Sequence, residues 1–299
     1  MTRALVLGRK RKGRKIGQAV RDVRRLLEGA GWHVDSGVVV RKRDLRRAAA
    51  RGVKNGVDVV VSVGGDGAVL QVVNVLAETD VALGIVPKGT GNLLATNLAI
   101  PHELDRAVDV LVNGHRRKID LGRITVEGKD RDFGVACGIG FDARVMKATG
   151  NAQKRRWGKF AYLANALREG ARVQNVPHEI TLDGTVTTTE AAQVFIANFG
   201  KMGTGLQPRR KIRPDDGLLD VIVVRASGPI PGLLAGWEAL RQRDLGESGP
   251  GNAFRGQARE VTVKTSPRRL VEIDGSVVGR TPVTASIRRA ALTVISPVR

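Results

Sequence analysis

The sequence predicts an α/β N-terminal domain with a mostly parallel sheet, followed by a β-rich C-terminal domain with antiparallel strands. Up to about residue 118, short apolar runs alternate with amphipathic segments, as expected for strands linked by helices. From about residue 119 the apolar runs are shorter and follow one another closely, which is typical of antiparallel strands. We therefore expect domains at 1–118 and 119–299, and leave open that the extreme C-terminus packs on the first domain.

The N-terminal elements follow a regular order. Apolar runs indicate strands, and apolar residues three or four apart, such as Ile16, Val20, Val23 and Leu27, indicate helices. In order, we expect a strand at 4–7, a basic loop at 8–15, a helix through 16–27, a strand at 32–40, a helix at 43–53, a strand at 57–63, a helix at 69–76 and a strand at 81–86.

The C-terminal elements are mostly short strands, interrupted by two amphipathic helices predicted at 154–168 and 231–241. A stretch rich in Gly, Arg and Glu at 241–256 predicts a mobile loop. Strands are expected near 124–127, 133–137, 179–182, 185–189, 194–198, 219–224, 260–264, 271–274 and 291–295.

Charge and cysteine content limit the function classes. With 50 Lys and Arg against 29 Asp and Glu, the net charge is +21, which favours phosphate-bearing partners such as nucleotides, nucleic acid or anionic lipids. Aromatic residues are only 3% and no nucleic-acid recognition motif is present, so we expect no specific nucleic-acid partner. The single cysteine, Cys137, excludes an internal disulfide, and we find neither a signal peptide nor a spanning apolar run. We expect a cytoplasmic protein, with peripheral contact at the inner membrane face left open.

The first candidate site is the run Gly64, Gly65, Asp66, Gly67 and Ala68, which follows an apolar strand and precedes a helix. In this setting backbone N–H groups can surround a phosphate, and the helix N-terminus adds a favourable dipole. A carboxylate in such a loop suits magnesium binding or proton transfer, although a simple Gly-Asp-Gly turn has the same residues.

A second loop, Lys88 to Asn92, also follows a strand. The carboxyl ends of parallel strands share one edge of a sheet, so both loops should lie on the edge where α/β folds bind ligands. Thr90, Gly91 and Asn92 could contact a nucleotide, or Thr90 or Asn92 could cap the following helix. Neither loop fits the Walker or dinucleotide pattern.

These residues carry a resemblance to a known family. The run Val61–Asn74 resembles the Gly-Gly-Asp-Gly-Thr signature of diacylglycerol kinases, sphingoid kinases and their bacterial relatives, and Val86–Leu98 resembles their second nucleotide loop. The similarity spans nearly the whole chain. Further segments match in the same order: Lys118–Gly122, Gly138–Ala143, Lys159–Leu163, Asn198–Gly200, Pro214–Val221 and Glu272–Ser276.

The resemblance implies a Rossmann-like nucleotide domain, a β-sandwich lipid domain, and transfer of the ATP γ-phosphoryl group to the hydroxyl of a lipid such as diacylglycerol. ATP and Mg²⁺ are the implied cofactors, and a lipid at the membrane surface is the implied partner. Gly64 to Ala68 and Thr90 to Asn92 would hold the nucleotide. Asp66, Asp120 and Asp274 would be the catalytic carboxylates. Asp216 would hold a structural metal, unless it simply forms a turn.

This chain departs from the family pattern at several polar positions. Ser276 stands where many relatives have Glu or Asp, and a hydroxyl cannot serve as a carboxylate base. Ala68 replaces a usual Thr, Leu70 and Gln71 replace a common Asn-Glu, and Leu93 replaces a frequent Asp.

The departures keep alternatives open. The chain could be a weakly active or inactive nucleotide- or lipid-binding relative. Less favoured alternatives are an NAD kinase, which shares the Gly-Gly-Asp-Gly loop, and a non-specific nucleic-acid binder. The sequence does not name the acceptor lipid, and both a monomer and a homodimer remain open.

Overall fold

The computed structural model describes most of the chain. The predicted helices at 154–168 and 231–241, and most of the predicted loop at 241–256, lie outside the described residues. The described residues are 1–10, 15–140, 175–201, 212–225, 253–273 and 276–298.

The chain divides into two compact units. Unit 1 comprises Met1–Leu121 together with Arg288–Arg299, and unit 2 comprises Gly122–Ile287. The domain boundary predicted after residue 118 lies close to the end of the first segment of unit 1.

The elements of the N-terminal half alternate as the sequence predicts. Differences from the predicted bounds are small, except that α3 already begins at Asp66, within the glycine run. In chain order they are β1 (Arg3–Arg9), α1 (Ile16–Gly29), β2 (His33–Val39), α2 (Lys42–Lys54), β3 (Val59–Gly64), α3 (Asp66–Leu76), β4 (Ala82–Pro87), α4 (Leu93–Asn97), α5 (Leu104–Asn113) and β5 (His115–Val126).

The remaining elements that the structure describes are strands. They are β6 (Lys129–Phe133), β7 (Ala136–Ile139), β8 (Val176–Leu182), β9 (Thr185–Ala191), β10 (Gln193–Ala197), β11 (Leu219–Val224), β12 (Ala253–Ala258), β13 (Glu260–Thr265), β14 (Leu270–Ile273), β15 (Ser276–Arg280) and β16 (Val283–Ser296).

Unit 1 is built on a parallel sheet in the order β2-β1-β3-β4, which the C-terminal part of β16 extends through the parallel pair Val294 and Leu83. Strands β3 and β4 are buried along their whole length. Strands covered on both faces read as continuous apolar runs, which is why their positions were visible in the sequence. This confirms the predicted α/β class of the N-terminal domain.

Unit 2 is an antiparallel β-structure. One sheet has the order β12-β11-β10-β7-β14-β15, while β13 pairs with β8 and with the N-terminal part of β16, and β8 pairs with β9. The larger apolar core draws side chains from both groups of strands, including Val194 of β10 and Val261 of β13. Side chains that alternate between a shared core and the outside are typical of a sandwich.

One buried polar side chain of unit 2 is a histidine. His178 is fully buried, and its Nδ1–H donates to the Val176 carbonyl at 2.7 Å, which leaves Nε2 without a partner among the described residues. Burial lowers the pKa of His178 below its ordinary value of 6.5, and the hydrogen bond to Val176 opposes that shift.

We predict that protonation of His178 destabilises the fold. The unfolded chain takes up this proton near pH 6.5, whereas the folded chain takes it up only at lower pH, so the free energy of unfolding falls as the pH drops below about 6.5. Above that value this group contributes no pH dependence. Urea unfolding followed by circular dichroism at about pH 7.5 and about pH 5.5 measures the effect.

His178→Gln should remove part of this acid sensitivity, and the matched variant His102→Gln, at an exposed position, should keep it. Equal acid sensitivity in wild type and both variants would contradict the prediction.

Candidate functional site

The two glycine-bearing loops lie side by side in unit 1. Strands β3 and β4 pair in parallel with Gly64 opposite Pro87, so the loops leave the same edge of the sheet. The backbone N–H of Lys88 donates to the Gly64 carbonyl at 2.8 Å and extends the pairing into the loops. The predicted shared location of the two loops is therefore observed.

Glycine is required where the loops touch. A Cβ built on Gly89 would lie 2.4 Å from the Gly65 Cα, and one built on Gly65 would lie 2.7 Å from the Gly89 Cα. Both distances are shorter than real Cβ atoms show to other heavy atoms, and the clashing atoms belong to the backbone. The close approach of the two backbones thus depends on the absence of side chains at both positions.

The carboxylate of Asp66 joins the loops. Its Oδ1 accepts the N–H of Leu93 at 2.5 Å, and its Oδ2 accepts the N–H of Asn92 at 2.9 Å. A Cβ on Gly91 would lie 2.8 Å from Oδ2. Asp66 therefore satisfies the backbone donors at the start of α4, a capping role that a residue normally plays for its own helix. Each oxygen retains acceptor capacity, so its metal role stays a prediction.

Asn92 shapes the second loop. Its backbone is left-handed (φ 51°, ψ 43°), a conformation that Asn tolerates better than most residues, and its side chain is 4% exposed. Oδ1 accepts the N–H of Gly89 at 2.8 Å and Nδ2 donates to the Gly89 carbonyl at 3.3 Å. The amide is thus engaged with its own loop, while the neighbouring Thr90 and Gly91 are exposed to solvent.

The start of α3 is the other half of the site. Gly65 is the N-cap, and Asp66, Gly67 and Ala68 form the first turn. The Ala68 N–H donates to the Gly65 carbonyl at 2.8 Å, whereas the N–H groups of Asp66 and Gly67 have no acceptor within the helix. Ala68 is 6% exposed, and a Cβ on Gly64 would lie 2.9 Å from the Ala68 Cβ. The position where many relatives carry Thr is therefore packed against the turn.

One cation approaches this turn from another helix. The Nζ of Lys42, the first residue of α2, lies 3.8 Å from the place a Gly67 Cβ would occupy. Lys42 is exposed and makes no ion pair with a described residue. Lys42 is not among the site residues predicted from the sequence, because nothing in the local sequence relates a lysine 25 residues earlier to the glycine loop.

Asp120 lies on β5 and is 4% exposed. Its Oδ1 accepts the N–H of Ala290 at 2.6 Å, and Ala290 has a left-handed backbone (φ 49°) within β16. The carboxylate thus holds the second segment of unit 1 to the first. Its predicted catalytic role stays a prediction.

The other predicted site residues belong to unit 2. Asp274 lies outside the described residues, and Ser276 is exposed at the start of β15, opposite Ile273. Asp216 accepts the N–H of Leu218 at 3.1 Å, as in an Asx turn. Within the described ranges, no cluster of three or more His, Cys, Asp or Glu is placed to hold a metal. The metal role of Asp216 stays a prediction.

Unit 2 also contains a buried ion pair that the sequence did not reveal. Asp220 is fully buried, and Arg255 donates to its Oδ1 from Nε at 2.7 Å and from Nη2. Burial raises the pKa of Asp220, and the charge and hydrogen bonds of Arg255 oppose that shift. The pair depends on the register of β11 against β12, which places the two residues on the same face of the sheet.

Comparison with known proteins places the chain in a family. Residues 3–124 match the model of the diacylglycerol kinase catalytic domain, and residues 135–296 match the YegS C-terminal NAD kinase beta sandwich-like domain. The fold is an α/β domain that carries the paired glycine loops, followed by a β-sandwich. The chain belongs to the diacylglycerol kinase-like family of lipid kinases.

Two curated relatives are named diacylglycerol kinase. That of Mycobacterium tuberculosis (strain H37Rv) is 36% identical over 190 residues, which cover 61% of this chain and 60% of the relative. That of Staphylococcus aureus (strain JH9) is 31% identical over 205 residues, which cover 67% of this chain and 63% of the relative. The match thus spans under two thirds of each relative.

Solved structures agree in fold. A candidate diacylglycerol kinase from Bacillus anthracis str. Sterne superimposes with a TM-score of 0.81 at 23% identity, covering 99% of this chain and 96% of that one. A second structure, described as a diacylglycerol kinase from the same organism, superimposes with a TM-score of 0.75 at 21% identity. The similarity supports the predicted two-domain fold class, α/β followed by a β-sandwich.

We predict that Asn92→Ala destabilises unit 1. The change removes both hydrogen bonds to Gly89 and puts a residue poorly suited to left-handed backbone at this position, for a loss of about 2–3 kcal/mol in the free energy of unfolding. Urea denaturation measures this loss.

The control is Asn113→Ala, which removes an exposed Asn whose Nδ2 donates to Asp109 at 2.6 Å. Its expected effect is within about 0.5 kcal/mol of wild type. A loss for Asn92→Ala no larger than the control's would show that the amide does not hold the loop.

Proposed function

We propose that the protein is an ATP-dependent lipid kinase that transfers the γ-phosphoryl group to the hydroxyl of a lipid such as diacylglycerol. The observation that carries the proposal is the pair of glycine loops, locked together by Asp66 at the ends of two buried parallel strands, in a chain of this family. The names of the relatives support the same reaction class.

The phosphates would bind where backbone donors and cations converge. The first turn of α3 offers N–H groups and the positive end of the helix dipole. Lys42 adds a cation near Gly67, and Lys88 lies in the second loop. Charge-assisted hydrogen bonds to phosphate are about twice as strong as neutral ones, so these groups would supply much of the binding and positioning.

The residues at this edge fit a magnesium ion in their chemistry. Mg²⁺ prefers carboxylate oxygens and keeps several waters, and the half-buried Asp66 has acceptor capacity left on both oxygens. Asp66 is therefore the residue that would hold the ion through its waters, with Asp120 as the second carboxylate that the family resemblance implies. When bound, the ion would neutralise charge on the transferred phosphoryl group.

The residue that accepts the lipid hydroxyl proton is the open part of the proposal. Glu272 cannot replace the carboxylate missing at Ser276, because Glu272 pairs with the exposed Val277 while Ser276 pairs with the core residue Ile273. The two side chains thus project from opposite faces of the β14–β15 hairpin. Asp274 remains the base we propose.

The second candidate is a weakly active relative, and two observations favour it. Ser276 is exposed and carries no carboxylate, and Leu93 meets Asp66 only through its backbone N–H. Both positions lack a carboxylate that many relatives carry.

We predict that the purified chain transfers radiolabelled phosphate from ATP to diacylglycerol vesicles in the presence of Mg²⁺. The decisive comparison is wild type against Ser276→Glu. Transfer by wild type supports the active kinase, and transfer by Ser276→Glu alone, raised at least about 100-fold, supports the weakly active relative.

Sphingoid base and NAD serve as alternative acceptors in the same assay. ATP binding with no product from any lipid, in wild type or variant, would overturn the kinase proposal. Phosphorylation of NAD alone would replace it with NAD kinase.

We predict that Lys42→Met raises the KM for ATP about tenfold, because it removes a cation close to the phosphate loop. The matched control is Lys54→Met at the other end of α2, also exposed, which should change KM less than twofold. Binding of adenosine, which has no phosphate, should not change in either variant. Equal KM values for ATP in the two variants would show that Lys42 does not take part in binding the phosphates.

A further inference from the structure

The outer face of α2 carries a concentration of cations with little acidic charge to balance them. Its exposed basic residues are Lys42, Arg43, Arg46, Arg47, Arg51 and Lys54, and Arg41 precedes the helix. Asp44 is the one acidic residue in the helix, and its carboxylate lies 3.9 Å from Arg43. The other cations form no ion pair with a described residue.

This arrangement is unfavourable for the helix itself. Lys42 and Arg46, Arg43 and Arg47, and Arg47 and Arg51 are like charges four residues apart, a spacing at which like charges destabilise a helix. In helix α1, by contrast, two of the three arginines are paired with acidic residues, Arg24 with Glu28 at 2.7 Å and Arg25 with Asp22 at 3.6 Å. The surplus on α2 is therefore a local feature and not merely the chain's overall composition.

One exposed apolar side chain adjoins the basic face. Val40 is 67% exposed and lies two residues before α2. An apolar side chain bordered by cations suits a bilayer surface, where the cations meet lipid phosphates while the apolar group enters the headgroup boundary. A single-stranded nucleic-acid surface would instead call for aromatic side chains to stack on bases, and no Phe, Tyr or Trp is among the exposed large hydrophobic residues in the described part of the chain. Duplex DNA binds cations without such stacking, so it is the competing ligand in the test below.

The position of this surface relates it to the glycine loops. In the register of the parallel sheet, Val38 of β2 pairs with Gly8 of β1. Gly8 pairs in turn with Val63 of β3, and Val63 pairs with Val86 of β4. All four lie toward the carboxyl ends of parallel strands, the edge from which both loops leave. Val40 directly follows β2, so contact through Val40 and α2 would bring that edge of unit 1 to the membrane.

We propose that Val40 and the exposed cations of α2 form a docking surface for an anionic lipid bilayer. This inference concerns binding alone, so it does not require the proposed kinase reaction and is measured without ATP. The probes are vesicles of phosphatidylglycerol in phosphatidylcholine, vesicles of phosphatidylcholine alone, and a duplex DNA fragment.

The main test is co-sedimentation of the triple variant Arg46→Gln, Arg47→Gln, Arg51→Gln with the anionic vesicles. Loss of three near-surface cations should weaken partitioning about 100-fold at low salt. The control Arg21→Gln, Arg24→Gln, Arg25→Gln removes the same charge from α1 and should weaken it less than about fivefold. Thermal unfolding checks that both variants fold. Because the α2 variant removes repulsion between like charges, we expect it to lose no thermal stability.

Val40→Ser separates the bilayer from other polyanions. It should weaken binding to anionic vesicles about fivefold and leave binding to DNA unchanged. Equal weakening by the α1 and α2 variants would show that net charge alone drives binding and would overturn the proposal. Binding of wild type to DNA but not to anionic vesicles at the same salt would overturn it as well.

Discussion

The hydrogen bonds of Asp66 hold together the edge of unit 1 on which both loops depend. One carboxylate takes the N–H groups of Asn92 and Leu93, and the backbones of Gly65 and Gly89 touch beneath it. Because these contacts join residues from two different strand ends, neither loop has its observed shape without the other. The carboxylate that the sequence suggested for catalysis thus has a structural role in the absence of any ligand, and substitutions at Asp66 alter the loops as well as any chemistry.

Much of the fold could be predicted because its signals are local. Fully buried parallel strands give continuous apolar runs, so β3 and β4 were located to within two residues. The glycines between strand and helix were equally visible, because a close backbone approach admits no other residue. Resemblance to a family then supplied the order of the remaining segments.

The contacts that could not be predicted are those set by register or by distance along the chain. Asp66 meets Asn92 across 26 residues, and Asp220 meets Arg255 across 35, and no sequence period relates either pair. The approach of Lys42 to Gly67 depends likewise on how α2 packs beside α3. A pattern can place such residues on their elements, but only the packing of those elements brings the side chains together.

The division of unit 1 between two separated segments has a consequence for its synthesis. Val294 extends the parallel sheet beside Leu83, and Ala290 donates to Asp120, so residues after 288 complete a unit that begins at the N-terminus. A ribosome makes these residues only after all of unit 2. During translation the glycine loops therefore emerge early, on a sheet that still lacks its last strand, and the order of emergence from the ribosome cannot be the order in which the two units reach their final form.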